Sequence, residues 1–177
     1  QRACGKSSLN VDTSSITLDN FIRDIEGLRQ SFGIMKLNLM GHSWGGLLAL
    51  EYALKYPGKV KSLILIDCIG ASNDINTQTN QVLAERFTKE DSIKRVNIIR
   101  TEAFQKRDPK TIEALMQIGF KHDFKNPSLI DSLDLDLNEN YAETSRLLQY
   151  LAGDLMSYDL HPDLKKIKSP ALLIYGD

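Results

Sequence analysis

One stretch limits what this chain can fold into more than any other. From Met35 to Tyr56 it runs through the apolar Met-Lys-Leu-Asn-Leu-Met, then Gly41-His42-Ser43-Trp44-Gly45-Gly46, then Leu-Leu-Ala-Leu-Glu-Tyr-Ala-Leu-Lys-Tyr. The pattern predicts a strand, a tight turn with a serine at its apex, and a helix, which is the context a G-x-S-x-G nucleophile elbow requires. Gly41 and Gly45 are expected to flank the turn because a side chain there would collide with the neighbouring strand or helix. Ser43 itself is expected in an unfavourable backbone conformation, and Gly46 extends the small-residue allowance into the first helical turn. In that geometry Ser43 is the candidate nucleophile. The backbone N–H of Trp44 then points to where a substrate carbonyl oxygen would become an oxyanion, and His42 lies inside the turn with its ring aimed elsewhere.

The flanking segments extend the same architecture. Leu18, Phe21, Ile22, Ile25, Leu28 and Phe32 recur at three- and four-residue steps, which predicts an amphipathic helix with Thr17 as N-cap and Gly33 as C-cap. Ile34 to Met40 should be the strand that enters the turn, and Gly45 to Tyr56 a buried helix stopped by Pro57-Gly58. Val60 to Ile66 is a continuous β-branched and leucine run, typical of a parallel strand covered on both faces. Helix, strand, helix, strand implies an α/β protein with part of a doubly wound parallel sheet, right-handed crossovers and ligands at the carboxyl ends of the strands.

The next such strand is Pro170 to Gly176, and the roughly 90 residues between are far too many for a βα connection. They read as a helical insertion. One helix begins at Phe87-Thr88, with Ile93, Val96, Ile99, Ala103 and Phe104 on one face; a second is capped by Asp108-Pro109 and carries Ile112, Leu115 and Met116. Asn126-Pro127 starts a short one, and Asn138 a longer one with Leu147, Leu148 and Leu151. The expected division is a core over residues 1–69 that holds the elbow, a helical cap or lid over 70–161, and a return to the core over 162–177. A roof rooted at the nucleophile's edge would exclude water and shape a pocket.

Composition excludes several classes. Hydrophobic residues at 42% and charged residues at 25% are those of a soluble globular protein. A net charge of -1 with scattered lysines and arginines leaves no footprint for nucleic acid or an anionic membrane. No apolar run is long enough to span a bilayer, and a cytoplasmic location is weakly favoured. Cys4 and Cys68 form neither a C-x-x-C pair nor a zinc spacing and read as buried free thiols. Gly5-Lys6-Ser7 resembles the end of a phosphate loop, but loop formers follow it where a helix would be needed. Asp134, Asp136 and Asn138 mimic the start of a calcium loop, yet Glu139 and Ser145 occupy the positions that need Gly and Glu. No cofactor and no metal are implied.

Gly-His-Ser-Trp-Gly-Gly between strand and helix, the helical insertion and the closing Leu-Ile-Tyr-Gly-Asp together resemble the α/β-hydrolase superfamily. Gln1-Arg2-Ala3-Cys4-Gly5-Lys6-Ser7 is similar to the D-Q-R-G-x-G-x-S segment of its proline iminopeptidase branch, with Ala3 in place of a glycine, and the aromatic Trp44 suits that branch. The resemblance implies a second oxyanion donor upstream of Gln1, a catalytic acid two positions beyond Asp177 and a histidine after one further strand. On this reading the chain is a fragment without either end of the sheet. Asp67, at the end of its strand, and Asp177 are the candidates for an acid within the sequence. His122 and His161 precede the position expected of the base. For the branch, the resemblance implies a peptide or amide substrate with a free N-terminal proline or other small residue, whose amine is met by cap carboxylates; Glu102, Glu113 and Glu143 are available for that. The expected activity is therefore acyl transfer to water through Ser43 on a small-molecule or short-peptide substrate. The alternatives are a carboxylesterase or other hydrolase of small acyl substrates, and an inactive hydrolase scaffold that binds a ligand.

Overall fold

The computed structural model describes residues 1–176. Its centre is a three-stranded parallel sheet in the order β1 (Leu37–His42), β2 (Val60–Ile66), β3 (Ala171–Ile174). The register pairs Gly41 with Leu65, His42 with Ile66 and Ile66 with Ile174, so all three strands end at one edge. Between β1 and β2 lies α2 (Trp44–Lys55), buried along Leu47, Leu48, Ala49, Leu50, Tyr52 and Ala53. It packs on the sheet face that carries Leu63 and Leu65, and α1 (Leu18–Ser31) packs on it through Phe21 and Ile22. Thr17 caps α1 by accepting from Asn20 N–H at 3.2 Å, and Gly33 ends it at φ 63°, a left-handed position that glycine takes without cost.

Two expectations about the sheet change. Strand β1 begins three residues later than the apolar run, where Ile34 N–H is spent on the Arg29 carbonyl at the end of α1 (3.0 Å), and it continues through Gly41 and His42, which pair with Leu65 and Ile66. Cover is confined to one face and, among the described residues, reaches only β1 and β2 there: Met40 is 71% and Leu172 56% exposed on the other face, and Leu173, beside Leu65 on the α2 face, is 57% exposed.

Between residues 73 and 157 the regular structure is helical, as α3 (Asn73–Glu85), α4 (Lys89–Ile99), α5 (Glu102–Gln105), α6 (Pro109–Phe120), α7 (Tyr141–Leu148) and α8 (Ala152–Ser157), with short 3-10 turns and an irregular stretch over residues 133–140 between them. Thr88 and Asp91 form a capping box at the start of α4, and Asp108 with Pro109 starts α6, each satisfying donors that a helix N-terminus leaves free. Ala103 and Phe104 do not continue α4. Thr101 accepts from Phe104 N–H at 3.1 Å and starts α5 as a separate helix. The end of the insertion is part of the core: Leu147, Leu151, Tyr158 and Leu160 pack with α1 and α2, and Asp154 accepts Leu18 N–H at 2.7 Å.

Candidate active site

β1 delivers the chain to Ser43, which holds φ 51°, ψ -118° and is the residue from which α2 starts. A non-glycine residue there is strained. Its hydroxyl makes no cap to the helix behind it, so the side chain that most commonly closes a helix N-terminus is left for other use. The backbone of Ser43 is held on both sides: its N–H donates to the Ile66 carbonyl at 3.0 Å, and its carbonyl accepts from Gly46 N–H at 3.0 Å and Ile69 N–H at 3.4 Å. Strand β2 and the loop after it thus hold the turn that β1 and α2 form.

The glycines divide by what surrounds them. A Cβ on Gly41 would lie 2.2 Å from the Gly45 carbonyl oxygen and 2.6 Å from Gly46 nitrogen, and one on Gly46 would lie 2.4 Å from Cys68 Sγ. A Cβ on Gly45 meets nothing within 4 Å among the described residues. The expected collision at Gly45 is therefore corrected: the close approach is of the Gly45 backbone to Gly41, and Gly46 is the second glycine whose hydrogen is needed, against Cys68.

Trp44 is the first residue of α2, where backbone N–H groups have no intrahelical acceptor. Its indole stands edge-on to Phe21 at 6.2 Å and donates to Gln1 Oε1 at 3.3 Å, so the ring ties the elbow to α1 and to the first residues. Arg2 beside it makes a bidentate pair with Asp24 (2.7 and 2.5 Å) and donates to the Ser15 carbonyl at 3.0 Å. Ala3, which replaces a glycine of the branch motif, is fully buried at φ 56°, the left-handed region in which a glycine carries no penalty.

Asp67 follows Ile66 directly, at φ 43°, with its N–H donated to the Ile174 carbonyl at 2.8 Å and its side chain exposed at the same edge as Ser43. Asp177 lies outside the described residues. Among the described residues no histidine hydrogen-bonds Ser43. His42 is exposed, His122 lies 2.9 Å from Asp91 at the far end of α6, and His161 pairs with Asp159 at 2.8 Å. Of the three glutamates, Glu102 pairs with Lys106 (2.6 Å) on an exposed face of α5, Glu113 accepts Leu135 N–H (2.9 Å), and Glu143 pairs with Arg146 (3.1 Å) on α7. Burial pushes the Cys68 thiol up from its ordinary value, so at the elbow it acts as packing. Among the described residues no three His, Cys, Asp or Glu side chains converge as a metal site. No described helix is long and apolar enough to cross a membrane. Sequence reasoning missed the residues that hold the loop after β2, Asn76 and Tyr158, because each is a single polar side chain whose partner is remote in the chain.

The sequence profile of the alpha/beta hydrolase fold matches residues 1–177, and the chain belongs to that family. Among its relatives, the proline iminopeptidase of Flavobacterium johnsoniae is 28% identical over 171 residues, covering 92% of this chain and 57% of that protein. A (lyso)-N-acylphosphatidylethanolamine lipase of Bos taurus is 53% identical over 49 residues, 28% of this chain and 14% of the lipase. The crystal structure of a proline iminopeptidase from Mycobacterium smegmatis superposes with a TM-score of 0.64 at 18% identity, covering 98% of this chain and 60% of that one, a likeness of fold. The chain thus spans less than two thirds of the length of the proline iminopeptidases it matches.

Proposed function

We propose that the protein is a serine hydrolase that acts through an acyl-enzyme on Ser43, and that it is an aminopeptidase or amidase releasing an N-terminal proline or small residue from a small-molecule or short-peptide substrate. The observation that carries this is the conformation of Ser43: a strained, half-buried serine at the carboxyl edge of a parallel sheet, whose hydroxyl leaves the helix behind it uncapped. In the reaction Ser43 Oγ attacks the carbonyl carbon as its proton passes to a general base. The Trp44 N–H, at the positive end of α2, helps to hold the oxyanion. The C–N bond then breaks, the leaving amine takes the proton, and water releases the acyl group from Ser43. The base would be a histidine oriented by an acid at the carboxyl edge of the sheet; the candidates for that acid within the sequence are Asp67, directly after β2, and Asp177, which follows β3 in the sequence. Within residues 70–161, the part before Leu147 would form the cap, from which Glu102, Glu113 or Glu143 would meet the substrate amine.

Likeness to proline iminopeptidases along nearly the whole chain supports the peptide reading. The short, closer match to a lipase favours a second reading, hydrolysis of carboxylic esters. Turnover of a proline arylamide against a short acyl ester by the full-length protein separates the two: faster arylamide cleavage supports the aminopeptidase, and the reverse order the esterase. A fluorophosphonate probe should label Ser43, and Ser43→Ala should abolish both labelling and turnover. An unlabelled protein would be an inactive scaffold.

A further inference from the structure

The chain leaves the sheet after β2 through residues 67–72 and comes back to it through residues 156–160, and the two lengths are stitched together beside the elbow. Ser72 and Asp159 form an antiparallel bridge. Leu160 N–H donates to the Ala71 carbonyl at 2.8 Å and Asn73 N–H to the Tyr158 carbonyl at 3.1 Å, while Asn73 Nδ2 donates to the Met156 carbonyl at 3.1 Å. The buried Tyr158 hydroxyl is the centre of this seam. It donates to the Gly70 carbonyl at 2.7 Å and accepts from Asn76 Nδ2, and Asn76 Oδ1 accepts Gly70 N–H at 2.6 Å. Both backbone groups of Gly70 are thereby held by side chains, and a Cβ there would lie 2.6 Å from Ile75 Cγ2. The two residues before Gly70 are the ones that meet the elbow: Ile69 N–H donates to the Ser43 carbonyl, and Cys68 fills the space a side chain on Gly46 would need.

We propose that Tyr158 is a positioning residue for Ser43: from the returning chain its hydroxyl fixes Gly70, and with it the loop that buttresses the nucleophile from behind. The base of the helical insertion then sets the placement of the attacking oxygen without touching substrate. Interaction networks of this kind are fully satisfied or costly, and a small displacement at a reacting atom is amplified in rate. Burial raises the pKa of the phenol, so the proton donated to Gly70 stays in place at neutral pH. The proposal rests on Ser43 as the nucleophile, and the test separates the two.

In the full-length protein, Tyr158→Phe deletes the hydroxyl and leaves the ring. The rate constant for fluorophosphonate inactivation is expected to fall about ten- to a hundredfold with the KI of the encounter complex unchanged, and hydrogen exchange at Ser43 and Ile69 to speed up about tenfold while α1 exchanges as before. Asn76→Ala should reproduce both effects, and the double variant should be no slower than the slower single one, since the two side chains act as a unit. Unchanged inactivation and exchange in a folded Tyr158→Phe variant overturn the role of Tyr158 and leave Ser43 standing. Failure of the unmodified protein to label at Ser43 overturns both. If Tyr158→Phe does not fold, Asn76→Ala decides by the same readouts.

Discussion

Glu26 and Asp91 are both buried carboxylates, 8% and 0% exposed, and both are held well below the usual carboxylate range, Glu26 chiefly by the Arg29 guanidinium and Asp91 chiefly by the Lys121 ammonium. What they join differs. Glu26 takes Arg29 (2.8 and 2.7 Å) and Gln30 (2.8 Å) from its own helix, and only the Tyr52 hydroxyl (2.6 Å) reaches it from α2. Asp91 takes the backbone and hydroxyl of Thr88 at 3.0 and 2.7 Å, but also Lys121 and His122 from beyond the end of α6. Around Glu26 lies the main apolar core, with Phe21, Ile22, Leu47, Tyr52 and Leu63 almost fully buried. Between Cys68 and Leu147, Ile112 is the one buried hydrophobic among the described residues. The core is held by apolar burial to which a carboxylate is added; the α4–α6 unit is held to a large extent by the carboxylate itself. A region of that second kind is expected to open more readily.

The sharpest way to break this contrast is to damage the core where it cannot adjust. In Gly41→Ala the new methyl would face the Gly45 carbonyl at 2.2 Å, and backbone at that distance must move. The expected outcome is loss of the cooperative thermal transition and of Ser43 labelling together, by calorimetry and probe. Gly45→Ala, with open space around it, is the control, with a change within about 1 kcal/mol. A Gly41→Ala protein that melts and labels normally would show that the elbow is softer than its packing implies.

Next in size is Ile112→Ala. Truncating a buried isoleucine costs about 2–5 kcal/mol in a packed core. Here it removes the single buried hydrophobic of its unit, so α4 and α6 should lose hydrogen-exchange protection while α1, α2 and β2 keep theirs. Equal loss in both regions would mean that they fold as one cooperative body.

Acid should separate the regions in the same direction. The ordinary values are 4.5 for Glu26 and 3.8 for Asp91, and both are depressed in the folded state. The unfolded chain therefore binds more protons as pH falls through those ordinary values. The stability each pair gives is complete above them and drains away below about pH 4. Having the smaller apolar reserve, the α4–α6 unit should open first, read by hydrogen exchange as the pH is stepped down. Simultaneous opening, or the core first, would contradict the contrast.

How much of this could be read from the residues follows the same division. The elbow was legible because a serine framed by glycines between a strand and a helix serves few purposes, and β2 because Val60 to Ile66 is uninterrupted. The Gly41 and Gly46 contacts could not be told from Gly45 by spacing, since the neighbour that makes Gly46 necessary, Cys68, comes from the loop after β2. In the insertion, α3 was missed: Asn73–Glu85 is mostly polar, with Ile75 and Val82 exposed, and its start depends on Ser72 accepting Ile75 N–H. The stripe from Ile93 to Phe104 looked continuous because periodicity does not register the cap that Thr101 supplies. Asp91 was invisible for the reason that makes it interesting, an acidic residue in a helix being far more common at the surface than at a hub.

The smallest effect tests the accessory role assigned to Glu26. Tyr52→Phe removes the one hydrogen bond that reaches Glu26 from α2 and leaves the ring, which is fully buried, in place. Arg29 and Gln30 still hold the carboxylate, so no charge is left unpaired, and the cost should be that of one hydrogen bond, about 1 kcal/mol by denaturant unfolding with an unchanged m-value. The phenol's own pKa is raised by burial and then by the neighbouring carboxylate, so its ionisation plays no part at neutral pH. A loss of several kcal/mol would place Glu26 in the same class as Asp91, and the core would then depend on its polar contact as the insertion does.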